Sequence, residues 1–101
     1  MNDNLIVFNL EGVLIKNGEI NKAAIELLKV FVKIGWRVYI QSEEGKLKAD
    51  RFIESKRLKE VIGLKMWQKG YHFDITVCDD FQTGPIYHPV PGLNTSFILN
   101  I

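Results

Sequence analysis

A chain of 101 residues that is 47% hydrophobic and 25% charged has the length and composition of one globular domain, with no room for a second catalytic domain. Its net charge of +1 provides no overall attraction for nucleic acid or an anionic membrane, and its one cysteine, Cys78, excludes both an intrachain disulfide and a multi-cysteine metal site. The short apolar run after Asp3 has neither the basic flank of a signal peptide nor the length of a membrane span, which makes the cytoplasm the expected location.

Residues 5 to 10, Leu-Ile-Val-Phe-Asn-Leu, form too continuous an apolar run for a half-exposed strand and predict a central strand covered on both faces. Asn17-Gly18 marks a turn, and Asn21 is a helix N-cap with Ile20 beside it as a staple. From Lys22 to Ile34, Ile25, Leu28, Phe31 and Val32 recur at helical spacing opposite Glu26, Lys29 and Lys33, and Gly35 supplies the stop. Trp36 to Gln41 reads as a second strand ending at Ser42, followed by the loop Glu43-Glu44-Gly45. Strand, helix and strand in succession make a βαβ unit, parallel and right-handed.

Residues 46 to 69 predict a further helical region, broken near Ser55, with Leu58, Ile62 and Met66 or Leu64-Trp67 on an apolar stripe and Gly70 at its end. Asp74 to Cys78 is the expected third strand, ending at Asp79-Asp80. Gly84, Pro85, Pro89, Pro91 and Gly92 interrupt residues 84 to 92 too closely for a helix, and the loop-rich segment 84 to 101 holds at most one short last strand at Ser96 to Leu99.

In an open α/β sheet the ligand lies beyond the carboxyl ends of the strands. Three parallel strands would therefore bring Asn9 and Glu11, Ser42, and Asp79 and Asp80 to a single crevice. Each residue also has an ordinary explanation. Asn9 and Glu11 suit a polar strand-to-loop turn in a generic Rossmann-like domain, Ser42 a helix cap, and Asp79-Asp80 a loop cap. His72 and His88 belong to no ligand-like cluster, Cys78 reads as a small buried hydrophobe, and Trp67 and Met66 read as core or subunit contacts.

The segment Phe8-Asn9-Leu10-Glu11-Gly12-Val13 resembles the first motif of the haloacid dehalogenase-like (HAD) phosphatases, in which an apolar strand ends in Asp-x-Asp-Gly-Thr or Val. Val38-Tyr39-Ile40-Gln41-Ser42 resembles the second motif, a strand ending in a phosphate-binding Ser or Thr, and Trp67 to Ile75 is similar to the helix-to-strand passage of small HAD proteins without a cap domain. The resemblance spans nearly the whole chain and implies a minimal capless domain over residues 1 to 101, with a small Rossmann-like parallel sheet flanked by helices. It also implies a homo-oligomer, because capless relatives commonly let a neighbour cover the site.

What the resemblance implies about chemistry is altered by two residues. Family members use the first aspartate to attack phosphorus and to bind Mg²⁺, whereas Asn9 offers a neutral amide, a poor nucleophile and a weaker ligand for a hard dication. Glu11 keeps the carboxyl group of the second, acid–base aspartate but adds a methylene, and a misplacement of about 1 Å can cost on the order of 10²-fold in rate. Asn9 and Glu11 are thus degenerate catalytic positions, and Gly12, Val13, Ser42 and Lys65 are the implied phosphate-binding residues. Two alignments of the later motifs remain open. In one, Asp79 and Asp80 join Asn9 and Glu11 as the metal set, with Lys65 or Lys69 on the phosphate; in the other, Asp79 replaces the family lysine and the acidic motif falls near His88-Pro89.

These readings lead to one expectation, a catalytically degenerate HAD-like protein that acts by binding, with no cofactor or a weakly held Mg²⁺. Its expected partners are a phosphate-bearing small molecule in the crevice or a protein on the basic segment 46 to 69, where Lys46, Lys48, Arg51, Lys56, Arg57, Lys59, Lys65 and Lys69 outnumber Asp50, Glu54 and Glu60. Neither a membrane nor nucleic acid is expected, the latter because the segment carries no nucleic-acid-binding motif. The alternative is a weak Mg²⁺-dependent phosphatase of a small phosphomonoester.

Overall fold

The computed structural model describes residues 4–66 and 73–78 and the backbone of 95–98. Strand β1 (Leu5–Asn9) is followed by a hairpin of β2 (Ile15–Lys16) and β3 (Glu19–Ile20), then α1 (Lys22–Lys33), β4 (Arg37–Ser42), α2 (Lys46–Ser55), β5 (Val61–Lys65), β6 (Ile75–Cys78) and β7 (Thr95–Ile98). Five strands form one parallel sheet in the order β5-β4-β1-β6-β7, which makes the chain an α/β protein.

The chain leaves β1 in one direction through β4 to β5, then returns to the other side of β1 for β6 and β7. Crossovers of one hand that run in the same direction lay their helices on the same face. Ala24, Ile25 and Leu28 of α1 and Ala49 and Phe52 of α2 accordingly pack on one cluster with Ile6, Phe8, Val38, Ile40 and Val77. The opposite face carries Val7, Tyr39 and Leu64, with Leu5 and Phe73 against them, and the Phe73 ring meets Tyr39 edge-on at 5.3 Å. Alternate residues of β1 thus enter two different apolar layers, as a central strand requires.

Local chemistry fixes the ends of α1. Asn21 caps it, its Oδ1 accepting the Ala24 N–H at 3.4 Å. At the other end the Trp36 N–H reaches the Phe31 carbonyl at 3.0 Å and the Gly35 N–H reaches the Val32 carbonyl at 3.1 Å, the paired bonds of a Schellman motif. Gly35 sits at φ 94°, open to glycine at little cost, and the Trp36 and Phe31 rings close the motif at 5.0 Å. The expected staple residue Ile20 is exposed instead, on the second strand of the hairpin. Asn17 and Gly18 form that hairpin's turn, with φ of 55° and 77°, the left-handed pair of a tight two-residue connection.

The expectation of helix continuing toward residue 69 is overturned for 56 to 65. Helix α2 stops at Ser55, Arg57 and Glu60 take positive φ, and Val61-Ile62-Gly63-Leu64-Lys65 becomes β5, paired in parallel with β4. The tertiary setting explains the outcome. A five-residue run rich in branched apolar side chains gains a ladder of hydrogen bonds along its one paired side, beside β4, and Gly63 lets α2 approach so closely that a Cβ there would clash with Asp50 Oδ1 and lie 3.0 Å from the Asp50 nitrogen. Leu58 and Met66 are buried as the stripe required, whereas Ile62 is half exposed.

The strand expected at Asp74 to Cys78 is β6, the fourth main-sheet strand in chain order. Asp74 precedes it and holds it to β1, its N–H donating to the Leu5 carbonyl at 2.8 Å while its Oδ2 accepts the Leu5 N–H at 2.7 Å. The short last strand is Thr95–Ile98, one residue earlier than the sequence suggested. Trp67, Gly70 and the Pro-rich stretch 84 to 92 lie outside the described residues. Among the described residues no helix is long and apolar enough to cross a membrane.

Candidate functional site

Strand order reverses at β1, between β4 and β6, so the crevice lies at the carboxyl ends of these strands. Beyond Asn9 the chain folds back on itself. The Leu14 N–H reaches the Asn9 carbonyl at 3.4 Å, the Ile15 N–H reaches the Leu10 carbonyl at 2.9 Å, and Leu10, Val13 and Leu14 are fully buried beneath the turn. Those three apolar anchors leave Glu11 as the side chain of this turn that faces the end of β4.

Asn9 is buried at the tip of β1, and its Oδ1 accepts a hydrogen bond from Gln41 Nε2 of β4 at 2.6 Å. Both residues are in register across the β1–β4 pair, so the bond is a cross-strand contact between two buried amides. One residue further, Ser42 is fully buried, and its hydroxyl donates to Glu11 Oε2 at 2.7 Å while its Oγ accepts the Glu44 N–H at 3.1 Å. Glu11 Oε1 accepts the Glu43 N–H at 3.0 Å. The Lys48 ammonium lies 3.2 Å from Glu11 Oε2 and also pairs with Glu44, one helical turn before it.

Burial pushes the Glu11 carboxyl toward a higher pKa, but the bonds from Ser42, the Glu43 N–H and Lys48 outweigh it, so the group sits below its ordinary 4.5. Lys48 is raised above its ordinary 10.5, first by Glu44 and then by Glu11. Both groups are charged at neutral pH, and the one ammonium is shared between Glu11 and Glu44.

The structure therefore brings Asn9, Glu11 and Ser42 together. Lys65 lies at the end of β5 in register with Ser42, with its side chain exposed. The Gly12 N–H donates to the Ile15 carbonyl at 2.8 Å, and the Val13 side chain is core. Asp79, Asp80, Lys69 and His88, on which the choice between the two later-motif alignments turns, lie outside the described residues, as does His72. Cys78 is buried at the end of β6.

Two contributors were missed in the sequence, Gln41 and Lys48. A polar residue immediately before Ser42 in an otherwise apolar strand was the available signal for Gln41. Lys48 stood among many lysines, but its position was odd: α2 has no acidic residue in its first turn, where negative charge is favoured, and carries Lys46 and Lys48 there instead. A tertiary carboxylate partner accounts for one of the two.

As folded, every side-chain oxygen of Asn9 and Glu11 already faces a hydrogen-bond donor. Mg²⁺ requires free oxygens in near-octahedral array, and one of the donors facing Glu11 is an ammonium. Among the described residues no group of three or more His, Cys, Asp or Glu side chains could hold a metal ion. Comparison with family models, curated proteins and solved structures gives no match to this chain.

Proposed function

We propose that this chain is a small Rossmann-like domain of HAD type that has lost phosphoryl-transfer catalysis and acts by binding. The observation that carries the reading is the Asn9–Gln41 pair. The position from which a nucleophile would attack holds a neutral amide, buried and tied to a second amide at 2.6 Å, so it has no anionic oxygen to offer. Glu11, the other degenerate position, has both carboxylate oxygens engaged.

The same contacts bear on what is bound. With Ser42 and the Glu43 N–H already on Glu11, the crevice is less ready for a phosphate-bearing ligand than the exposed basic surface is for an acidic protein partner. Arg51, Lys56, Arg57 and Lys59 supply that surface, on α2 and the turn that follows it. Self-association, as in capless HAD proteins, is part of the same proposal.

The test is hydrolysis of a generic phosphomonoester with Mg²⁺, by the unmodified chain and by the double variant Asn9→Asp with Glu11→Asp. Turnover that appears only in the double variant supports the reading. Turnover by the unmodified chain that disappears with chelator overturns it in favour of a weak Mg²⁺-dependent phosphatase.

A further inference from the structure

Three donors of different kinds converge on Glu11: the buried Ser42 hydroxyl at 2.7 Å, the Glu43 backbone N–H at 3.0 Å and the Lys48 ammonium at 3.2 Å. A hydroxyl, a backbone amide and a cation aimed at one point are what an oxyanion needs, and charge-assisted bonds of this type are the strong ones. We infer that these groups form an anion cradle whose resident is the chain's own Glu11 carboxylate, an intramolecular stand-in for a tetrahedral oxyanion such as phosphate.

Length is what makes the occupation feasible. Glu11 stands in the loop after β1, while the donors belong to the end of β4, the loop after it and the first turn of α2. The methylene that makes glutamate a poor replacement for an acid–base aspartate gives its carboxylate extra reach toward Ser42 and Glu43. The buried anchors Leu10, Val13 and Leu14 fix the turn that aims it. Lys48 supplies the cradle's positive charge from the protein itself. Lys48 also has a second partner, Glu44, that keeps its ammonium beside the cradle.

An external oxyanion must displace Glu11 before it can use these donors. In the unmodified chain the site is consequently closed to phosphate, and shortening or neutralising residue 11 opens it. This rests on the same crevice as the binding reading, but its test contains no hydrolysis step, so the two fail separately.

The experiment is a titration of inorganic phosphate into the full chain, without metal, following thermal unfolding and calorimetric heat for the unmodified protein, Glu11→Ala, Glu11→Gln and Glu11→Ala with Ser42→Ala. Phosphate binds the folded state of an open site and raises its unfolding temperature by mass action. The expected result is no response in the unmodified chain, saturable stabilisation of Glu11→Ala at least about tenfold tighter than any residual binding by the unmodified chain, a weaker response in Glu11→Gln, and loss of the gain in the double variant. Equal phosphate binding by the unmodified chain and Glu11→Ala overturns the inference. So does a folded Glu11→Ala that ignores phosphate. If neither single variant folds with phosphate present, the carboxylate is a structural strut that an anion cannot replace, which also overturns it.

Discussion

Lys48 of α2 and Glu11 of the loop after β1 hold their charges 3.2 Å apart across the mouth of the crevice, so the first turn of a helix is tied to the tip of the central strand. A lysine in the first turn opposes the helix dipole, and the pairing with Glu11 and Glu44 offsets that local cost. Both side chains retain partial exposure, so the pair matters more for where charge sits than for how firmly the domain folds. Lys48→Met is expected to lower stability to urea by no more than about 1 kcal/mol. The same change should move the Glu11 acid midpoint upward, as read from its carboxyl carbon by NMR.

The pH dependence of stability follows from the two shifts. Glu11 is depressed below 4.5, so the stability it contributes is present above that value and lost as pH falls through its lower folded midpoint. Lys48 is raised above 10.5, so its contribution is present below that value and lost as pH rises through its higher folded midpoint. Urea unfolding across pH should show both limbs. Glu11→Gln should flatten the acid limb and leave part of the alkaline one, because Glu44 still pairs with Lys48; an unchanged acid limb contradicts the assignment.

Replacing Asn9 by leucine removes the acceptor for Gln41 Nε2 in a site where both amides are buried. A buried donor left without a partner costs about 1–3 kcal/mol. Equilibrium denaturation of Asn9→Leu should show a loss of that size, whereas the double change Asn9→Leu with Gln41→Leu should recover part of it. A double variant no better than the sum of the singles means the amides are not coupled.

Gly63→Ala tests the packing that turned a predicted helix into an edge of the sheet. Its Cβ would meet Asp50 at the side-chain oxygen and the backbone nitrogen, and the backbone cannot step aside without lifting α2 from β5. Overpacking of this kind costs about 1–3 kcal/mol. Gly18→Ala is the contrast, because open space surrounds that position and only its φ of 77° resists the change. The Gly63 variant should therefore also disturb amide signals of α2, and the Gly18 variant should not.

How far the sequence carried the reading depends on whether the signal was local. Asn21, the 3.6-residue stripe of α1 and Gly35 are local signals, and α1 follows them to within a residue of its expected end. The apolar run of β1 and the step from Gln41 to Ser42 were equally readable, and with parallel pairing they were enough to bring Asn9, Glu11 and Ser42 to one sheet edge. Residues 56 to 65 failed because Leu58, Ile62 and Met66 fit helical spacing as well as Val61 to Leu64 fits a buried strand, and only β4 and the α2 contact at Gly63 decide between them. Lys48 was not legible as a site residue because its meaning depends on a carboxylate brought to it by the fold. The Asn17-Gly18 pair did carry a hairpin signal that went beyond the simple turn expected.

If the donors of the crevice are satisfied from within by Glu11, the Glu43 backbone amide reports on it directly. Its ¹H–¹⁵N signal should titrate with the Glu11 carboxyl, with a midpoint below 4.5, and should stay unmoved when inorganic phosphate is added to the unmodified chain at neutral pH. A Glu43 amide that ignores the acid titration of Glu11, or that shifts saturably with phosphate, contradicts the account.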